Sequence, residues 1–415
     1  MKIAVIGINF APEQSGIAPY TSRAAELMSA RGHCVTVFTT YPHYPQWRIA
    51  DEYLPARRRD VSFLGQSGVT VVRLRHYVPS NPKSAARLVS ELTFGLAILR
   101  EKLREFDAIL LVSPAMFSSA LIAARLHYLR RGSGPIGLWV QDIYSAGMSQ
   151  LDGGSSVSTS VVSRVERWLF RKVDGLLVIH DRFRRYIVSE MGIEQSKVSV
   201  SRNWTHLKPA VISSTELEAV RLSMGWGNDE HIVLHSGNMG IKQDLMNVIE
   251  AGRIADSTPG NKIRFVLMGG GSERNVLEVA ARTVRSVEII DSVSGELYPK
   301  VLAAADVLMV NEKAGSQDVA VPSKLTSYFS SGRPVVAASE AGSATRIEVE
   351  NSGGGICVAP GDPACLYESV VLVANARSDL AEFGTNARRY VETHLSEQSA
   401  ADRIDNFVKT LVMDN

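Results

Sequence analysis

Residues 231–257 read HIVLHSGNMGIKQDLMNVIEAGRIADS. Residues 231–235 are an apolar, β-rich run, Gly237-Asn238-Met239-Gly240 interrupts it, and from Leu245 apolar residues recur at helical spacing. A strand, a glycine loop and a helix in that order are half of a βαβ unit, the building block of parallel sheets covered by helices. The rhythm continues on both sides. KIRFVLMGG, VEIID, DVLMVN, RPVVAAS and GGICVAP follow as strands, with RNVLEVAARTV and GELYPKVLAAA as helices. Earlier in the chain KIAVIGI, HCVTVFTT, VTVVRLR, DAILLVS, GLWVQD, GLLVIH and VSVS are strands, with TSRAAELMSARG and SALIAARLHYLRRG as helices between them. Residues 201–213, SRNWTHLKPAVIS, break the series.

The expected fold is therefore α/β: two doubly wound Rossmann-like domains facing across a cleft, with ligands at the carboxyl ends of the strands. The spans are 1–205, 206–390, and a C-terminal helix over 391–415. A chain of 415 residues also exceeds what one hydrophobic core supports. With 45% hydrophobic and 21% charged residues it has ordinary globular composition. The Gly- and Ser-rich 151–160 reads as a loop.

Cys34, Cys357 and Cys365 form no CxxC pair or disulfide framework, as expected in a reducing cytoplasm. The start, MKIAVIGINFAPE, reads as a buried first strand rather than a leader. No apolar run approaches the ~20 residues that span a bilayer. A net charge of +2 hides an asymmetry: residues 1–205 hold 26 Lys and Arg against 16 Asp and Glu, and the rest hold 19 against 27. A basic first half either meets an anionic partner or is simply a solvated surface. Its basic segments 56–60, 164–172 and 181–186 include Trp168, Leu169 and Phe170. That interleaving fits contact with an anionic membrane and equally fits amphipathic core helices.

Several chemistries are excluded. There is no P-loop, no G-x-G-x-x-G after the first strand, no G-x-S-x-G elbow, no H-E-x-x-H and no Cys/His metal spacing. No D-x-D is present to hold a metal on a nucleotide diphosphate. Any such ligand would be neutralised by helix N-termini, backbone N–H groups and lysine.

Five motifs remain. In GINFAPEQSGIAPYT, Gly16 lets the backbone approach a ligand before a helix that opens near Tyr20; an ordinary βα turn is the other reading. In SGNMGIKQDL, Lys242 stands in the first turn of the next helix, against the dipole, which an intervening anion would explain. Pro322 and Ser323 open a second helix with Lys324 in its first turn. Two such helix starts make a diphosphate cradle. Asp142, directly after a strand, could orient a hydroxyl or stabilise positive charge on a sugar ring, or it caps a turn. The loop YPHYPQW gathers His43, Tyr44 and Trp47, a surface for sugar rings or a proline-stiffened packing loop in which His43 is a packing residue.

With these motifs in order, and over nearly its whole length, the chain resembles the retaining GT-B glycosyltransferases of group 1, and within them the bacterial colanic-acid fucosyltransferases and N-acetyl-fucosamine transferases. The resemblance is carried by GINFAPEQSGIAPYT, YPHYPQW, VQD, RNW, SGNMGIKQDLMNVIEA and VPSKLTS. It implies a GDP- or UDP-linked sugar donor bound mostly by the second domain and an acceptor bound mostly by the first. No metal or resident cofactor is implied, and the last helix is expected to cross back to the first domain. It implies that Gly16, Gly237, Asn238, Lys242, Ser292, Ser323 and Lys324 bind the donor, and that Asp142 and Lys242 are catalytic. Tyr20, His43, Tyr44 and Trp47 are expected on the acceptor side. Family and charge together imply a polyprenyl-diphosphate-linked saccharide acceptor, cell-surface polysaccharide synthesis, and a cytoplasmic place at the inner face of the membrane. The family's glutamate pair is absent, Val319 and Ser327 standing at its positions.

Competing readings are a nucleotide-sugar epimerase of the same fold, a two-lobed binding protein and an inactive relative. The first needs paired acid/base groups, which Asp142 with His43 or His180 does not supply.

Overall fold

The computed structural model describes every residue except 14–15, 82–83, 129–133, 146–156, 206–211, 316–323 and 415. The chain divides into two compact α/β units, Met1–Asn203 with Ala400–Asn415, and Trp204–Ser399.

The first unit holds an eight-stranded sheet: β1 (Lys2–Ile6), β2 (Cys34–Thr40), β3 (Arg59–Phe63), β4 (Thr70–Leu74), β5 (Ala108–Val112), β6 (Ile136–Val140), β7 (Gly175–Val178) and β8 (Val198–Val200). They lie in the order β3-β4-β2-β1-β5-β6-β7-β8, all parallel except β3, which runs antiparallel to β4. Strand β3 begins inside the basic segment ARRRD and escapes the sequence reading. As an edge strand it leaves Val61 and Phe63 exposed, so it lacks the apolar run that marks the interior strands.

The second unit is a six-stranded parallel sheet: β9 (His231–Asn238), β10 (Ile263–Gly270), β11 (Val287–Ile290), β12 (Val307–Asn311), β13 (Val335–Ala338) and β14 (Gly355–Val358), ordered β11-β10-β9-β12-β13-β14. Val233 packs in one core cluster while Ile232 and Leu234 pack in the other, on the opposite face. A strand covered on both sides must be apolar throughout, which is why β9 is so plain in the sequence.

The connections place each unit's ligand crevice. The strand order reverses between β1 and β5 in the first sheet and between β9 and β12 in the second, and open α/β sheets bind ligands beyond the carboxyl ends at such switch points. Residues from Ala400 onward belong to the first unit, where the helix Glu397–Met413 packs on the sheet. Phe407 and Leu411 press on Gly137 and Gly175, and a Cβ at either glycine would come within 2.8 Å of them. His33 Nε2 and Asp405 Oδ1 meet at 2.7 Å beside this seat.

The apolar residues of the basic segments serve this core. Leu169, Phe170 and Phe183 are buried, so those helices are amphipathic core helices with charged outer faces. Among the described residues no helix is long and apolar enough to cross a membrane.

Candidate functional site

In the second unit, β9 runs three residues further than its sequence predicts, to Asn238, because β10 pairs with it through Gly237↔Gly269 and Asn238↔Gly270. Two glycine loops thus lie side by side. Gly237 has φ +118° and Gly269 +139°, backbone that glycine adopts without strain. The triple glycine Gly269-Gly270-Gly271 is the part of this site that sequence reading overlooked; a glycine run at a strand's end was the available signal.

Lys242 lies in a short 3-10 turn, Ile241–Gln243, and the α-helix starts only at Met246, after Asp244 in the left-handed region. The expectation that Lys242 occupies the first helical turn is therefore corrected: it precedes the helix, exposed, on a rigid turn. The turn is fixed from β12, beyond the switch point. Asn311 Nδ2 donates to the carbonyls of Gln243 and Asp244 at 2.9 and 3.0 Å, and the Lys313 N–H donates to the Lys242 carbonyl at 2.9 Å. Within the turn, Gln243 Oε1 accepts from Asn238 Nδ2 and from the Gly240 N–H.

Lys324, the first residue of helix Lys324–Ser331, points back to the same loop. Its Nζ sits 3.9 Å from where a Gly237 Cβ would be, and 3.4 Å from Nε2 of buried His235. Burial pushes the Lys324 ammonium down to about 8, only partly offset by Glu312. Burial and the adjacent lysine also hold the His235 imidazole well below its ordinary value. An ammonium desolvated in this way gains from an arriving anion, which would favour its charged form and raise its pKa again. Lys324 and the Gly237 loop are brought together. Ser292 is exposed in the loop after β11, and Ser323 lies outside the described residues. Ser327, at one position of the missing glutamate pair, hydrogen-bonds Tyr298.

In the first unit, Gly16 (φ +61°) precedes the helix Ala18–Ala30, which opens two residues before the expected Tyr20. A Cβ on Gly16 would lie 3.9 Å from the Tyr44 ring, so the glycine loop and the aromatic loop adjoin. Buried Glu13 ties them together. Its carboxylate accepts from the backbone N–H of His43 (2.8 Å) and Tyr44 (2.9 Å) and from Asn9 Nδ2 (2.8 Å). His43 is a buried packing residue, 3.0 Å through Nδ1 from the Tyr41 carbonyl and edge-on to Trp47. Tyr44 stacks edge-on with Trp47 and remains partly exposed. Tyr20 is half-buried, and burial pushes its phenol up to about 12.

Asp142 follows β6, its backbone held near Ser113 Oγ (3.4 Å) at the end of β5. Surrounding protein raises its carboxyl although the side chain still reaches solvent. Near Tyr144, which also feels Asp142, stands a carboxyl the sequence did not single out. Glu91, on the helix Ser84–Ile98, accepts from the Phe117 N–H (2.8 Å) and from the Tyr144 hydroxyl (3.5 Å), and burial pushes it up to about 7. Glu166 accepts from the N–H groups of Tyr144 and Ser145, pinning this turn. His180 is spent as a helix cap, its Nδ1 accepting from the Arg182 N–H. Among the described residues no group of three or more His, Cys, Asp or Glu could hold a metal ion.

Residues 15–204 match the family described as Glycosyl transferase 4-like domain, and residues 230–375 match Glycosyl transferases group 1. The chain is 29% identical over 425 residues to WcaI of Escherichia coli K12, whose name assigns it to colanic acid biosynthesis as a glycosyl transferase; 99% of this chain and all of that one are covered. Among solved structures it is similar in fold to sucrose-phosphate synthase from Thermosynechococcus elongatus (TM-score 0.71, 16% identity, 100% of both chains). Anabaena HepE in complex with UDP-glucose is a second (TM-score 0.68, 16% identity, 99% of this chain and 100% of that one).

Proposed function

We propose that this chain, whose residues 230–375 match the glycosyltransferase group 1 model, is a member of that family and transfers a 6-deoxyhexose such as fucose or N-acetyl-fucosamine from a GDP- or UDP-linked donor. The acceptor is a polyprenyl-diphosphate-linked saccharide, the context is cell-surface polysaccharide synthesis at the cytoplasmic face of the membrane, and the anomeric configuration is retained. The likeness to WcaI supports the polysaccharide context. The observation that carries the reading is the pair of facing glycine loops at the ends of β9 and β10, with Lys324 Nζ beside Gly237.

On this reading the second unit holds the donor. Backbone N–H groups of the glycine loops, Lys324 and Lys242 receive the diphosphate, with Asn238 beside it and Ser292 toward the base; Ser323 is assigned to the donor by the family resemblance alone. As the glycosidic bond to the β-phosphate breaks, negative charge accumulates on the leaving diphosphate, and lysines fixed beforehand stabilise that charge more than the ground state. The phosphate oxygen released can take the acceptor hydroxyl's proton on the same face, so no resident metal or cofactor is required. By the family resemblance Gly16 also binds the donor phosphates. In the first unit Asp142 orients the sugar, and Tyr20, Tyr44, Trp47 and the rigid loop around His43 shape the acceptor side.

A thermal-melt series with GDP, UDP, ADP and dTDP, with and without magnesium, tests the donor half. A nucleotide at about 100 times its dissociation constant stabilises by roughly 2.7 kcal/mol. A selective shift with GDP or UDP in the absence of metal is expected. No shift with any of them would overturn the donor assignment and favour an inactive relative, and a shift only with magnesium would overturn the metal-free reading.

A further inference from the structure

A cavity of about 840 Å³ opens in the first unit beside the aromatic loop, a volume suited to a small-molecule ligand. Its lining combines two chemistries: the guanidinium groups of Arg75 and Arg100, and the apolar surfaces of Trp47, Leu54, Tyr77 and Leu96. Among the described residues neither arginine has a carboxylate partner; Arg100 makes one long hydrogen bond, to the Leu96 carbonyl, and Arg75 is exposed. Arg48, also on the lining, is already paired with Asp51.

His76 provides an independent sign of a ligand. It lines the cavity, is only 8% exposed, and neither ring nitrogen has a hydrogen-bond partner among the described residues. Its ring packs edge-on against His43 and Phe94, at 4.9 and 6.3 Å between centroids, which holds it in place at the cavity wall. Buried polar atoms are nearly always paired, and an unpaired imidazole on the wall of a cavity that also carries Arg75 and Arg100 without carboxylate partners fits a site for a hydrogen-bonding anion. The apolar lining continues outward. Val89, Leu92 and Leu96 form an exposed stripe at helical spacing on the helix Ser84–Ile98, with Leu54 and Tyr77 also exposed beside the cavity.

We infer that this cavity binds a diphosphate joined to a long apolar chain. Arg75 and Arg100 take the diphosphate, His76 donates a hydrogen bond to one of its oxygens, and the chain lies along Leu54, Tyr77 and Leu96. The inference rests on the reading of a lipid-linked acceptor and gives that acceptor's carrier end a place. An anionic phospholipid of the bilayer would present related chemistry, and the experiment separates the two.

The full-length protein is titrated with farnesyl diphosphate, followed by calorimetry and by Trp47 fluorescence. Parallel titrations use farnesol, inorganic pyrophosphate and phosphatidylglycerol vesicles. Farnesyl diphosphate should bind at least ~10-fold more tightly than farnesol or pyrophosphate, and the double variant R75A/R100A should weaken it at least ~10-fold while leaving nucleotide-induced melting shifts unchanged. His76→Phe, which keeps the ring packing, should weaken it by a smaller factor. No binding by the wild type, or undiminished binding by the double variant, overturns the inference. So does vesicle binding that depends on both arginines without any affinity for farnesyl diphosphate, which would make the patch a bilayer contact. Transfer assays with extracted lipid-linked saccharides separate this failure from that of the wider reading. Product formed at unchanged kcat/KM by R75A/R100A would overturn the cavity assignment and leave the lipid-linked acceptor standing, whereas transfer to soluble saccharides alone would remove the lipid-linked acceptor and the inference with it.

Discussion

Gly269 lies so close to Gly237 that a Cβ on the former would fall 2.0 Å from the carbonyl oxygen of the latter. The two residues pair across β9 and β10, and both have positive φ. Gly269→Ala therefore meets backbone rather than a side chain that could move aside. The second unit should melt at least roughly 5 °C lower, and the nucleotide-induced shift should disappear. Gly270, one residue on, is surrounded by open space, so Gly270→Ala should change the melting temperature by about 1 °C or less. Equal effects at both positions would refute the paired-loop account.

The sequence made the interior of both units legible. Strands such as β5 and β9 are covered on two faces and must be continuous apolar runs, so they stood out. Edge strand β3 did not, because solvent accepts its charges and its alternation turns Val61 and Phe63 outward. At the site, Gly237 and Lys324 were readable as local motifs. Glu13, Glu91 and Asn311 were not, since each acts across the fold: Glu13 reaches residues 30 positions on, and Asn311 reaches back 67 and 68. A side chain whose role is set by long-range packing leaves no local pattern. The same limit misplaced Lys242, whose 3-10 turn is held by contacts from β12 rather than by its own propensity.

Lys242 is exposed, and the Lys313 N–H binds its backbone carbonyl, so Lys242→Ala keeps the turn's anchoring bond. Turnover should fall at least ~100-fold with the melting temperature within about 1 °C of wild type, because charge stabilisation of the leaving diphosphate is lost while the fold is not. Steady-state kinetics beside a melt decide it. Near-normal turnover would remove Lys242 from the diphosphate site.

Lys324 gives donor binding a pH signature. With its ammonium at about 8 in the free protein, the residue is charged below that pH and ready for an anion. A bound diphosphate favours the charged form and raises its pKa, so above pH 8 binding must take up a proton. Affinity should then decline toward tenfold per pH unit. Lys324→Met should bind weakly and with little pH dependence between 7 and 9. Calorimetric titration of the nucleotide diphosphate across that range tests both, and a wild-type affinity flat through pH 9 would contradict the placement.

Glu91 supplies the opposite sign. Burial lifts its carboxyl to about 7 from an ordinary 4.5, so the unfolded chain loses this proton at lower pH than the folded one. Below about pH 4.5 both states are protonated and the residue costs nothing. From there to pH 7 an increasing penalty builds up against the fold, and it is fully present above pH 7. Glu91→Gln removes the charge but retains a carbonyl oxygen to accept from the Phe117 N–H that the carboxylate now caps. The variant should therefore melt higher than wild type by roughly 2 °C or more at pH 8, with a smaller difference at pH 5. Tyr144 hydrogen-bonds Glu91 and lies near Asp142, so activity measured on the same variant is also informative. A rise in stability with turnover intact would make Glu91 a helix cap alone, while a rise with turnover reduced would give it a part in the chemistry proposed for Asp142. A melting temperature that falls at pH 8 would show that the carboxylate's hydrogen bonds outweigh its desolvation.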